Sequence, residues 1–404
     1  MEKILIIGGG QAGFSCASKL RVSGFEGKIS IVCEENIYPY QRPPLSKKYL
    51  TGLLERDRLL LKSEEYYKKN NIEVFLSARA NKIIRKKKEV VLEDGRILSY
   101  TKLVFSTGSS PIKIFYEETK GVKNIYYLRN LGDAEKLKTS LKPNKKLIVI
   151  GGGYLGLEIG SIASVEGMKV TVVESSERIL KRVAGSPTAE FLKLIFKENG
   201  VEIIENDAAQ SLDMKKNKVS NIKLSSGRTI QTDLVVIAVG GKPEIGLAKA
   251  SGLNIDLGIK VNEKLQTSDP SIYAAGDCVS FDFRGQTNRL ESVGNAIDQG
   301  ETVALNIMRK NIEYKVKPWF WSDQFGIKLQ IAGLSSGFDE IVKRSCKGKI
   351  SFWYYLNNQL IAVDAFNDPV SYFVGKRLLE DEKSIPQALV ANENFNLKDF
   401  LLKK

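Results

Sequence analysis

"ILIIGGGQAG" at residues 4–13 and "LIVIGGGYLG" at residues 147–156 are one pattern written twice. In each, an apolar run of strand character meets Gly-x-Gly-x-x-Gly, and a helical pattern follows. Gly8, Gly10 and Gly13 lead into "FSCASKLRVSG"; Gly151, Gly153 and Gly156 lead into "LEIGSIASVEG". A further strand then ends in an acid about 20 residues beyond the last glycine, Glu34 in "ISIVCE" and Glu174 in "VTVVE". Glycines let the backbone approach a pyrophosphate, the helix N-terminus offers it unpaired N–H groups, and the acid accepts the ribose hydroxyls. A lone fingerprint is weak; two complete copies predict two dinucleotide sites on two Rossmann-like domains.

Working outward, "TSDPSIYAAGDC" at 267–278 reads as a strand ending at Gly276 and Asp277, ahead of a helix around 293–309. The aspartate there is either a strand-end cap or a ligand to a dinucleotide. Because this motif lies beyond the second fingerprint, the first domain must resume after the second is complete. "LVFSTGSSP" (103–111) and "LVVIAVGGKP" (234–243), each a strand closed by glycine turns, mark the crossings. The expected division is a first domain at 1–109 and 237–314, a second inserted at 110–236, and a third at 315–404. The third begins at "VKPWFWSD" and continues with the alternating strands "KLQIAGL", "ISFWYYL" and "QLIAVDAF" and a polar helical tail, an α+β pattern.

The composition narrows the chemistry. The 404 residues contain no histidine, which removes imidazole bases and imidazole metal ligands. Cys16, Cys33, Cys278 and Cys346 are scattered with no C-x-x-C, so neither a disulfide framework nor a metal site is expected, and a reducing cytoplasm fits. The chain enters a strand directly from Met1 with no leader pattern, and no apolar run reaches the roughly 18 residues of a membrane span. The net charge of +14 comes in short, dispersed basic runs without interleaved aromatics. Those runs read as a solvated face or a surface for an acidic protein, not as a nucleic-acid site.

"PYQRPPLSKKYL" at 39–50 is the remaining oddity. Pro43 and Pro44 fix φ and donate no hydrogen bond, so this is a loop held in one shape soon after Glu34. Lys47 is then either a solvated helix-start lysine capped by Ser46 or a charge placed beside a cofactor.

Taken in order, "YPYQRPPLSKKYL", "YLRNLGDAE", "VIGGGYLGLE", "TSDPSIYAAGDC", "ESVGNA" and "PWFWSDQFGIKLQIAGL" resemble the NAD(P)H-dependent ferredoxin reductases of the putidaredoxin reductase and biphenyl dioxygenase reductase type, across essentially the whole chain. The resemblance implies FAD on the first fingerprint, NADH on the second, and a transient, acidic 2Fe-2S ferredoxin as acceptor. It implies FAD contacts from Ala12, Glu34, Arg42, Lys47, Ala80, Arg129, Asp277 and Val293. It also implies that Glu158 lies near the nicotinamide and pairs with Lys47, and that Trp321 of the Trp319–Phe320–Trp321 cluster edges the flavin at the docking face. Two departures are "AVGGKPEIG", where relatives read differently after the inserted domain, and Gly294, where they often carry proline.

Disulfide reductases and thiol peroxidases share the two-dinucleotide plan but place a reactive cysteine in the loop that here reads "YPYQRPPLS", which has none. Electrons must then leave from the flavin directly. Glu174 favours the free 2′-hydroxyl of NADH, and Arg178 and Lys181 soften that preference. Two alternatives stay open: a reductase of rubredoxin or another small redox protein, and a flavoprotein like apoptosis-inducing factor that acts mainly by protein interaction.

Overall fold

The structure is a computed structural model that describes residues 1–283, 285–346 and 348–402. Its contacts divide the chain into two compact units, one of Met1–Arg42, Glu55–Ser110 and Gly241–Pro318, the other of Pro43–Leu54, Pro111–Gly240 and Trp319–Lys404.

In the first unit the two apolar runs around the fingerprint become parallel strands, Lys3–Ile7 and Lys28–Val32. The full parallel sheet runs Ile272–Ala274, Lys102–Phe105, Lys3–Ile7, Lys28–Val32, Ile72–Phe75. Strands covered on both faces need continuous apolar sequence, and Ile4, Ile6, Ile29, Ile31, Leu103 and Phe105 are all buried. The fingerprint helix Gln11–Val22 lies against the helix Val293–Ile307. A Cβ on Gly300 would fall 2.5 Å from the Ala12 carbonyl, so only glycine permits that approach.

The second unit repeats the plan. Its parallel sheet runs Glu202–Ile204, Lys169–Val173, Lys146–Ile150, Leu234–Ile237, Ile125–Tyr126. The same unit holds a five-stranded antiparallel sheet in the order Trp319–Gln324, Ile327–Gly333, Gln359–Phe366, Lys349–Leu356, Glu340–Cys346. Helix Pro369–Glu380 packs on that sheet, started by Asp368, whose side chain accepts the Ser371 N–H. The fold is thus α/β with two Rossmann-like layers and a C-terminal α+β part.

The first hairpin of the antiparallel sheet turns on Phe325 and Gly326, both at positive φ, with Gln324 and Ile327 as its closing pair. Two residues of this conformation match the twist of the strands and fix their register. A left-handed phenylalanine is uncommon, and its ring meets Phe196 edge-on at 5.0 Å.

From Pro43 onward the proline loop belongs to this second unit. Pro43–Ser46 forms one turn of 3-10 helix, and Leu45, Tyr49 and Leu50 are buried. The loop packs on helices Leu131–Ser140 and Tyr154–Val165. Tyr49 reaches Glu135 at 3.4 Å, and the Lys138 ammonium lies 5.2 Å from the Tyr49 ring.

Candidate functional site

Each fingerprint builds the same cradle. A Cβ on Gly13 would lie 2.2 Å from the Gly8 carbonyl, and one on Gly156 would lie 2.1 Å from that of Gly151, so the last glycine locks helix to strand. The middle glycines differ in kind: a Cβ on Gly10 or Gly153 would meet nothing within 4 Å. These two residues are the N-caps of helices Gln11–Val22 and Tyr154–Val165, and neither helix start has a side-chain cap. Open space before uncapped N–H groups and a positive dipole end fits a pyrophosphate in both units.

Around the first cradle, Gly276 comes up against the fingerprint helix. At φ +86 it leaves room for only 3.0 Å between its own Cβ position and the Ala12 Cβ. Its N–H donates to the buried Gln299 side chain at 2.8 Å, which fixes the turn that carries Asp277. Asp277 Oδ2 accepts from Ser109 at 3.1 Å. Arg42 donates to Glu35 at 2.7 Å and to the Tyr40 hydroxyl at 3.1 Å. Partial burial lowers its guanidinium pKa, but Tyr40, Glu35 and Asp277 outweigh that and hold it above the ordinary value. Glu34 opens onto a surface cleft lined by Ser77, Arg79, Glu93 and Asp94, with Arg79 at 3.3 Å. Ala80 starts a strand, Ala80–Ile84, half-buried against the same core, and Val293 opens the helix that Ser292 caps.

Around the second cradle, Glu174 is already engaged. Its Oε2 accepts the Gly152 N–H at 2.8 Å and its Oε1 the Ser176 N–H at 2.7 Å, so this acid ties the glycine turn to the strand end. Glu158, one turn into the helix, is 3% exposed. It pairs with Lys47 at 2.7 Å and accepts from Ser322 at 2.6 Å on the same oxygen, and from Ser46 on the other. The proline loop is therefore held with Ser46 and Lys47 against a buried carboxylate. Phe320, two residues before Ser322, stacks at 4.3 Å on Tyr154, the first residue of the helix. Trp321 takes the opposite face of that strand, stacked on Trp319 at 5.5 Å. Arg129 precedes the capping box of Asn130 and Asp133.

The structure thus gathers Gly8, Gly10, Ala12, Gly13, Glu34, Arg42, Ala80, Asp277 and Val293 in the first unit. It gathers Lys47, Arg129, Gly151, Gly153, Gly156, Glu158, Glu174 and Trp321 in the second. Sequence reasoning passed over Ser109, Gln299, Arg79, Ser322 and Gln324, ordinary polar residues whose partners lie far off in the chain. Ser46 was read as a possible cap and is a donor to Glu158 instead.

Three of the four thiols are packed into the interior. Cys16, Cys33 and Cys278 are buried, and burial raises each; the Cys33 thiol is pushed up to about 12, with Glu35 adding to the shift and Arg42 opposing it. A Cβ on Gly9 would fall 2.3 Å from the Cys33 sulfur, so that thiol packs against the glycine turn. One further buried acid, Asp364, accepts from Thr188 at 2.6 Å and Tyr354 at 2.9 Å through Oδ2, while Oδ1 has no partner among the described residues. Burial pushes it up to about 6. Among the described residues no cluster could hold a metal ion, and no helix is long and apolar enough to cross a membrane.

Comparison with known proteins gives the family of the chain. Residues 2–300 match the pyridine nucleotide-disulphide oxidoreductase family and residues 319–401 the reductase C-terminal family. The chain is 35% identical to putidaredoxin reductase of Pseudomonas putida, over 99% of this chain and 97% of that one. It is 35% identical to rhodocoxin reductase of Rhodococcus erythropolis, over 98% and 93% respectively. The reductase in the crystal structure of the covalent putidaredoxin reductase–putidaredoxin complex superposes with a TM-score of 0.96 at 35% identity, covering 99% of this chain and 98% of that one.

Proposed function

The chain belongs to the pyridine nucleotide-disulphide oxidoreductases and, within them, to the ferredoxin reductases of the putidaredoxin reductase type; from that premise we propose that it takes a hydride from NADH and delivers single electrons to an acidic 2Fe-2S ferredoxin that serves an oxygenase. The observation that carries this reading is the pairing of two open dinucleotide cradles with four cysteines, of which three are buried with raised thiols and none bonds to another. Electrons have a way in, and none of the three buried thiols offers them a way out.

The residues divide the work as follows. Gly8, Gly10 and Gly13 with the helix start behind them would hold the FAD pyrophosphate, Glu34 its ribose, and Asp277 and Arg42 the remainder of its polar chain. Ala12, Ala80 and Val293 would add contacts within that unit, and the family resemblance implies FAD contacts from Lys47 and Arg129 as well. The corresponding glycines of the second unit with Glu174 would hold NADH. When bound, FAD accepts two electrons as a hydride and can release them one at a time. Lys47 contributes a fixed positive charge to hydride acceptance, Glu158 holds that charge in place, and Trp321 borders the path to the acceptor. The proposed domains are 1–109 with 237–314 for FAD, 110–236 for NADH and 315–404 for the partner, working in a reducing cytoplasm.

The test is anaerobic. The purified protein is mixed with NADH, and cytochrome c reduction is followed with and without a 2Fe-2S ferredoxin. Strong dependence on the ferredoxin is expected. Rapid bleaching of the flavin with no gain from ferredoxin would point to rubredoxin or another small acceptor. A flavin that stays oxidised with both NADH and NADPH would overturn the enzyme and favour an interaction protein.

A further inference from the structure

We infer that Ser322 and Gln324, on the first strand of the C-terminal sheet, are positioning residues that orient Glu158 and through it fix the Lys47 ammonium. This rests on the reductase reading above and adds two residues to it.

The direction of the bonds follows from what each group can donate. Lys47 has only donors, and the Ser322 proton goes to Glu158 Oε1, so the Ser322 oxygen is the acceptor for Gln324 Nε2 at 2.6 Å. The result is a polarised line, amide to hydroxyl to carboxylate, in which each bond strengthens the next. Ser322 is 0% exposed and Gln324 1%, so water does not compete. A carboxylate held only by a long lysine can swing about its last torsion. Ser46 on one oxygen and Ser322 on the other pin its plane, and Lys47 follows it.

Gln324 is retained at a cost. Its Oε1 is buried with no partner among the described residues, where an apolar side chain would leave no such debt. That is expected of a group kept for what its N–H orients. Residues 320, 322 and 324 share one face of their strand, so Phe320, Ser322 and Gln324 form a single row, with Phe320 on Tyr154 and Ser322 on Glu158. The two-residue turn at Phe325–Gly326 holds the register that keeps this row in place.

The experiment uses the FAD-loaded protein in two arms. In the first, without NADH, Lys47 acetylation by acetic anhydride is followed by peptide mass mapping. Ser322→Ala should raise Lys47 labelling about tenfold, as expected for loss of one hydrogen bond to a charged group, while Ser322→Thr restores protection. Gln324→Met should give a smaller rise in the same direction. In the second arm, stopped-flow bleaching by NADH should show a limiting rate lowered in Ser322→Ala with NADH affinity unchanged. Wild-type labelling in Ser322→Ala, or no rescue by threonine in a variant that melts normally, overturns the inference. Raised labelling with an unchanged limiting rate overturns the link to hydride transfer. If the wild type is not bleached by NADH at all, the reductase reading fails, while the first arm still decides whether the relay holds Lys47.

Discussion

Substituting alanine for the middle glycine of each fingerprint separates ligand binding from folding. Gly10 has φ −80 and ψ −171, and Gly153 has φ −79 and ψ 177, both open to alanine. The added methyl meets no atom of the chain within 4 Å. Without ligand, the entropy removed from the unfolded chain, about 0.4–1 kcal/mol, is offset by alanine's poorer capping, so stability should barely move. With ligand, the methyl stands where the pyrophosphate must approach. Loss of one charge-assisted hydrogen bond there costs about 1.5–3 kcal/mol, or roughly 10- to 150-fold in affinity. Gly10→Ala should therefore lose FAD on dialysis while its apo form melts like wild-type apoprotein. Gly153→Ala should stay yellow and bind NADH weakly. Gly13→Ala and Gly156→Ala are the contrast, since their methyls would lie 2.2 and 2.1 Å from a carbonyl oxygen and must damage the fold itself. Flavin fluorescence on reconstitution, NADH titration and apo melting give the three readouts. The reasoning is refuted if Gly10→Ala holds FAD at wild-type affinity, or if Gly153→Ala sheds FAD and spares NADH.

Three further outcomes are expected. Asp364 takes its proton more tightly when folded, with a pKa moved from 3.8 to about 6, so it withdraws stability as pH rises through that window and the loss is complete above it. Melting of Asp364→Asn should gain on wild type between those pH values, by about 3 kcal/mol in all, and then run parallel; a gap that does not change with pH would exclude this. Glu174→Ser should raise the NADPH to NADH preference in steady-state turnover about tenfold while weakening NADH itself, because the Gly152 N–H loses its acceptor; unchanged NADH binding would contradict the tether. At limiting ferredoxin, turnover should fall severalfold between about 0.05 and 0.5 M salt, and a flat profile would remove the role given to the +14 charge.

What could be read in advance followed from how far each constraint reaches along the chain. The glycine fingerprints are local: the turn, the lock and the helix start all fall within ten residues, so spacing alone reveals them. The strands "ISFWYYL" and "QLIAVDAF" were equally plain as short runs rich in aromatic and aliphatic residues, although the structure buries both of their faces where one-face alternation was expected. The proline loop was legible as rigid, but not what it is rigid against, because helix Leu131–Ser140 lies some ninety residues on. Ser322 and Gln324 carried no signal at all. Serine and glutamine have no type-specific pattern, and the partner that gives Ser322 its meaning is 164 positions away. Asp364 was hidden for a related reason: within an apolar strand nothing marks an acid as buried until Thr188 and Tyr354 are placed around it.

The span between Glu158 and Ser322 also sets an order of events during synthesis. The first unit has all its residues once Pro318 is made, whereas the second draws on Pro43–Leu54 and on everything from Trp319 onward. At about 5–20 residues per second, Glu158 emerges roughly ten to thirty seconds before the hydroxyl that will satisfy it. Until then a carboxylate destined for burial lacks one of its donors, and the helix Tyr154–Val165 that carries it cannot settle on its final neighbours. A ribosome that stops between residues 318 and 322 therefore releases a chain whose first unit has all its residues and whose second is left open to proteases.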